Sequence, residues 1–128
     1  MKILLVSEYF PMGRNIVFSG GVEARTFYVA KHLAKKHKVH IITSRLHGTK
    51  SQENLFGINI HRIGQPRNYQ ANAHIASIFS LISFTKEAIK FGDNLNPDVV
   101  DGGNFICHFI AKRISQRKKS GLIIHATI

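Results

Sequence analysis

The feature that most restricts this chain is its alternation of short apolar runs with longer amphipathic stretches. Residues 2–7 open it with Lys2-Ile3-Leu4-Leu5-Val6-Ser7, a continuous apolar run of the kind a strand shows when both of its faces are buried. Residues 21–37 follow a loop and carry Val22, Thr26, Val29, Ala30, Leu33 and Ala34 at helical spacing, with Lys31, Lys35 and Lys36 mostly opposite. Residues 38–44 are a second strand. Residues 57–63 alternate well enough to be a third, exposed on one side and therefore near the sheet edge. Residues 71–95 form a second helix with Ile75, Ile78, Phe79, Ile82, Ala88 and Ile89 on one side, stopped by Asn96-Pro97. Residues 98–101 give a short buried strand and residues 104–118 a third helix capped by Asn104. Residues 121–127 give a last buried strand.

The order βαββαβαβ predicts an α/β domain, a Rossmann-like three-layer parallel sheet with helices on both faces. Such sheets place their chemistry at the carboxyl ends of the strands, in the loops that lead into helices. Three loops qualify: residues 8–21, 44–56 and 101–104. With 128 residues the chain has room for one domain.

Composition narrows the setting. Hydrophobic residues make up 44% and charged residues 20%, a balance typical of folded globular chains. Cys107 is the single cysteine, so no disulfide framework forms, and a cytoplasmic location is expected. The apolar stretch 75–84 is interrupted by three serines and is about half the length of a membrane-spanning helix. A net charge of +11 points to an anionic partner: nucleic acid, lipid surface or phosphorylated substrate. The basic runs at 35–38 and 117–119 close predicted helices, where cations also favour the helix dipole. The stretch 75–84, apolar beside this basic excess, suits either the back of the sheet or an anionic membrane face.

Gly20-Gly21-Val22-Glu23 stands where the first loop enters the first helix. The unpaired N–H groups of that turn face the functional edge, and two residues without side chains let a phosphate or sugar hydroxyl come close. Glu23 can equally reach back to cap the helix, an arrangement that needs no ligand. The dinucleotide fingerprint G-x-G-x-x-G is absent, and the second strand ends in Thr43-Ser44-Arg45 rather than in an acid. An NADP-type module using Gly20, Gly21 and Arg45 is one alternative, and a basic nucleic-acid-binding domain is another. The latter lacks any recognition motif, and nucleic acid is not an expected partner. The eight histidines include no pair at i, i+4 on a helix and no ligand cluster, so no metal is expected. His125 reads as a strand-end residue.

The ordered set Lys2-Ile3-Leu4, Phe10-Pro11, Gly20-Gly21-Val22-Glu23, residues 29–34, Val39-His40-Ile41-Ile42-Thr43, residues 57–63 and Pro97-Asp98-Val99-Val100 resembles the N-terminal domain of retaining GT-B glycosyltransferases, family 4. The resemblance implies an acceptor-binding half of a hexosyltransferase whose second, nucleotide-sugar-binding domain lies beyond Ile128, so that residues 1–128 alone are inactive. It implies no cofactor, the nucleotide-sugar being a substrate. The acceptor is a glycan or a lipid-linked molecule of cell-envelope polysaccharide or lipopolysaccharide synthesis, handled in the cytoplasm or at its membrane face. The donor phosphate and acceptor fall to Gly20, Gly21 and Glu23, with Asp101 and Asn104 placed to orient an acceptor hydroxyl. No catalytic residue is assigned within the chain. Ala24 stands where the family often has Arg, and Asp101-Gly102-Gly103-Asn104 replaces a His-containing turn.

Overall fold

The computed structural model describes residues 1–11, 21–67, 75–103 and 105–123. Its elements are β1 (Lys2–Val6), α1 (Gly21–Leu33), β2 (Lys38–Leu46), β3 (Gln52–Leu55), β4 (Ile58–Arg67), α2 (Ile75–Leu95), β5 (Val99–Gly102), α3 (Phe105–Lys118) and β6 (Gly121–Ile123). The six strands form one sheet in the order β3-β4-β2-β1-β5-β6. All pairs are parallel except β3 with β4. The strand order reverses between β1 and β5, so the crevice outside their carboxyl ends is the topological switch point.

The sheet has two cores because its central strands are apolar on both sides. Ile3, Leu5, Val39, Ile41, Ile58 and Ile60 face α1, where Phe27 and Ala30 meet them. Leu4, Val6, Ile42 and Val100 face the other way, against Phe84 and Ala88 of α2 and Ile110, Ala111 and Ile114 of α3. The run in β1 that identified a central strand is thus divided between two helical layers.

Three expectations need correction. The loop at 44–56 is largely strand: β2 runs to Leu46, and β3 pairs with β4 through a tight hairpin at Phe56 and Gly57. Both turn residues have positive φ, 54° and 82°, as a two-residue hairpin of this twist demands. Its usual signature is Asn-Gly or Asp-Gly; the aromatic Phe56 hid it. Its ring lies 5.8 Å from Phe27, with Lys31 Nζ 4.7 Å above it. The sheet is therefore mixed rather than wholly parallel, and the strand around residues 57–63 is an interior one, with β3 at the edge. Second, α2 buries Phe84 and Ala88 with Leu81, Phe91 and Leu95 beside them, while Phe79 and Ile82 face outward at 66% and 46% exposure. The Ile75 and Ile78 side chains lie outside the described residues. Third, β6 is an edge strand and not a buried one, since Ile123 is exposed.

Beneath α2 lies a contact no local pattern announced. His40 of β2 and His61 of β4 meet edge to edge, Nδ1 to Nε2 at 3.0 Å, with the Phe91 ring 4.5 Å from that of His61 and tilted by 42°. Burial, then the charges of His61, Lys2 and Lys38, hold His40 down to about 4, and burial also lowers His61. A group whose folded pKa is depressed resists a proton that the unfolded chain accepts, so its stabilising contribution is present above the unfolded value and fades as pH falls. Urea denaturation should therefore show stability declining as pH drops from 6.5 towards about 4. His40→Phe should flatten that decline.

Candidate functional site

The switch-point crevice is built by backbone and by small residues. At the end of β5, Gly103 N–H donates to the Val6 carbonyl at 2.8 Å, carrying the β1–β5 pairing one residue past the strand. A Cβ on Gly103 would stand 3.2 Å from the Val6 oxygen, 3.3 Å from Val22 Cγ1 and 3.4 Å from Thr26 Oγ1. A side chain on Gly102 would overlap the Cys107 carbonyl of α3. These two glycines let the first turns of α1 and α3 close onto the ends of β1 and β5. Thr26 spends its hydroxyl within α1, donating to the Val22 carbonyl at 2.8 Å.

At the helix mouth, Gly21 is exposed, and a Cβ there would meet nothing within 4 Å. The first turn of α1 thus stands beside Gly103 at the carboxyl edge, with open space at its start. Its N–H groups carry the partial positive charge of a helix terminus. Glu23 is 5% exposed. Asp101 is 4% exposed and lies 3.7 Å from the Arg25 guanidinium, an ion pair that links α1 to β5 across the switch point. Leu5, Val6, Arg25, Thr26, Val29, Asp101 and Gly103 enclose a shallow concavity between them. Gly20, Asn104 and His125 lie outside the described residues. Arg45 is exposed near the end of β2, beyond the two central strands that form the crevice.

A second set of contacts shapes the loop after β1. Ser7 N–H donates to Ile42 at 3.0 Å, and the Glu8 carbonyl accepts from Ser44 N–H at 3.1 Å and from Thr43 Oγ1 at 3.2 Å. Arg62, buried on β4, then reaches the Pro11 carbonyl at 3.2 Å and the Glu53 carboxylate at 2.9 Å. Its Nη1 also approaches the Lys50 carbonyl at 3.4 Å. One guanidinium so ties the loop leaving β1 to the strands at the far side of the sheet. Neither Arg25 nor Arg62 had stood out in the sequence, because each is recognised by a partner many positions away.

A mostly parallel sheet whose strand order reverses beside the start of α1 defines a Rossmann-like α/β fold. Residues 19–128 match Glycosyltransferase Family 4, and the chain belongs to that family. Among solved structures it is similar to sucrose-phosphate synthase from Thermosynechococcus elongatus, with a TM-score of 0.64 and 13% sequence identity over 91% of this chain. That likeness establishes the fold, a Rossmann-like half of a GT-B architecture. The chain spans 30% of the length of the synthase. No curated protein sequence matches significantly. The family match favours neither the NADP-type module nor the nucleic-acid-binding domain.

Glu53→Gln should cost about 2 kcal/mol in urea denaturation, because it leaves a buried guanidinium with carbonyl partners alone. Arg62→Met should cost less, since Glu53 is partly exposed and can rehydrate.

Proposed function

We propose that this chain is the acceptor-side half of a retaining GT-B glycosyltransferase, which moves a hexose from a nucleotide-sugar to a glycan or lipid-linked acceptor of the cell envelope. The observation that carries the reading is the position of the α1 mouth: Gly21 is open, and the turn it begins packs against Gly103 at the ends of β1 and β5. A departing diphosphate is negative, and N–H groups at a helix start stabilise negative charge without having to reorganise. Gly20 and Gly21 take that role because a side chain at either would hold the phosphate off the backbone.

Asp101 and Asn104 serve the acceptor side. Asp101, 4% exposed, acts there through its ion pair with the more exposed Arg25 guanidinium. Glu23, being buried, supports the first turn of α1 and reaches the ligand only through that turn. The nucleotide is held by a second domain following Ile128, which closes over this edge and excludes water from the transfer.

Inorganic pyrophosphate, titrated into the ¹⁵N-labelled chain, isolates the anionic part of the donor. The amides of Gly21, Val22 and Gly103 should shift in a saturable manner while those of Asn54 and Asn59, at the opposite side of the sheet, stay in place. Unmoved Gly21 and Val22 amides at millimolar pyrophosphate would contradict the assignment.

A further inference from the structure

The outward face of the α2–α3 layer combines exposed apolar side chains with basic ones. On α2 the positions opposite the Phe84–Ala88 stripe are Phe79, Ile82, Lys86 and Lys90, all exposed and spaced by three or four residues. On α3 the corresponding positions, opposite Cys107, Ile110, Ala111 and Ile114, begin with Phe109, which is 51% exposed, and continue with Lys112 and Arg113. Both helices pack on the same face of the sheet, and an Arg117–Asp93 ion pair of 2.6 Å joins them. Each crosses back from the carboxyl ends of the strands, so Phe79, Ile82 and Phe109 all lie toward the edge that holds the crevice, with the lysines farther along.

The charge on this face is predominantly positive. α3 contains no acid, and the two acids of α2 are engaged: Glu87 accepts from Gly64 N–H at 2.6 Å, and Asp93 pairs with Arg117. No helix among the described residues is long and apolar enough to cross a membrane. Exposed aromatic and aliphatic side chains with lysines beside them have the chemistry of an interfacial contact. The apolar groups enter the headgroup boundary while the cations meet lipid phosphates.

We infer that the α2–α3 face rests on an anionic lipid bilayer, with Phe79, Ile82 and Phe109 inserted and Lys86, Lys90, Lys112 and Arg113 on the phosphates. This docking does not rest on the sugar-transfer reading; it requires only the exposed stripe. It would lay the crevice edge close to the lipid surface. Binding of this kind weakens as salt screens the attraction.

Sedimentation of the chain with vesicles tests it. Phosphatidylglycerol-containing vesicles should carry the protein down at low salt, and phosphatidylcholine vesicles should not. Lys86→Gln/Lys90→Gln should weaken binding about thirtyfold, two cations being removed from the surface. Phe79→Ser/Ile82→Ser should weaken it about tenfold, since less apolar area then enters the boundary. The comparison pair Lys35→Gln/Lys36→Gln removes the same charge beyond the end of α1, on the opposite layer, and should change binding less than about twofold if it is a matter of orientation. Circular dichroism melts confirm that each variant is folded; all of these positions are exposed. Absence of sedimentation with the anionic vesicles overturns the inference. So does an equal loss in the Lys35/Lys36 pair, which would mean attraction by net charge alone.

Discussion

The carboxyl edge depends on two residues that have no side chain. Gly102 admits the first turn of α3 against the end of β5, and Gly103 lets its own amide join the Val6 carbonyl while Val22 and Thr26 of α1 stand at contact distance. A β-carbon at either position would push a helix away from the strands. Two helix starts and two strand ends are thereby gathered at one point, with Gly21 exposed at the start of α1. Arg25 and Asp101 then bridge the same junction by charge. The crevice is an outcome of close backbone packing more than of side-chain chemistry.

Much of the fold was legible because its signals are local. The apolar run of β1, the amphipathic stretch of α1 and the Asn96-Pro97 stop each declare themselves within a few residues. What escaped was set by partners far away in sequence. β3 was hidden because its residues, Gln52 to Leu55, are polar on an edge and its turn uses Phe56, whose left-handed conformation is stabilised by contacts with Phe27 and Lys31. The stripe of α2 was assigned correctly at Ala88 and Ile89 and wrongly at Phe79 and Ile82, because Ile82 and Phe79 are as apolar as Phe84. Only the sheet decides which side is inside. His40 and His61 are 21 positions apart, and no spacing rule on one element could join them.

The candidate site divides along the same line. Gly21-Val22-Glu23 open α1 and Asp101 lies near the end of β5, the places in the fold expected of them from sequence. Arg25 was not foreseen, because its meaning comes from Asp101 on the other side of the switch point. The same is true of Arg62, whose single guanidinium holds Pro11, Glu53 and Lys50 together. Glu23 and Asp101 are both enclosed by packing, 5% and 4% exposed, which composition and spacing did not announce. Membership in Glycosyltransferase Family 4 and the GT-B-like fold give this edge its chemical context.

The central claim is that the backbone N–H at the start of α1 receives an anion, and Gly21→Pro interrogates it directly. Proline suits the first position of a helix, where the lost N–H has no intrahelical partner, and space beside Gly21 is open. Calorimetric titration of inorganic pyrophosphate into the wild-type and variant chains, with melting temperature as the control, is the decisive comparison. The account predicts an unchanged melting temperature and affinity reduced about tenfold or more, the loss of one charge-assisted hydrogen bond. Equal affinity in the two folded proteins would contradict it.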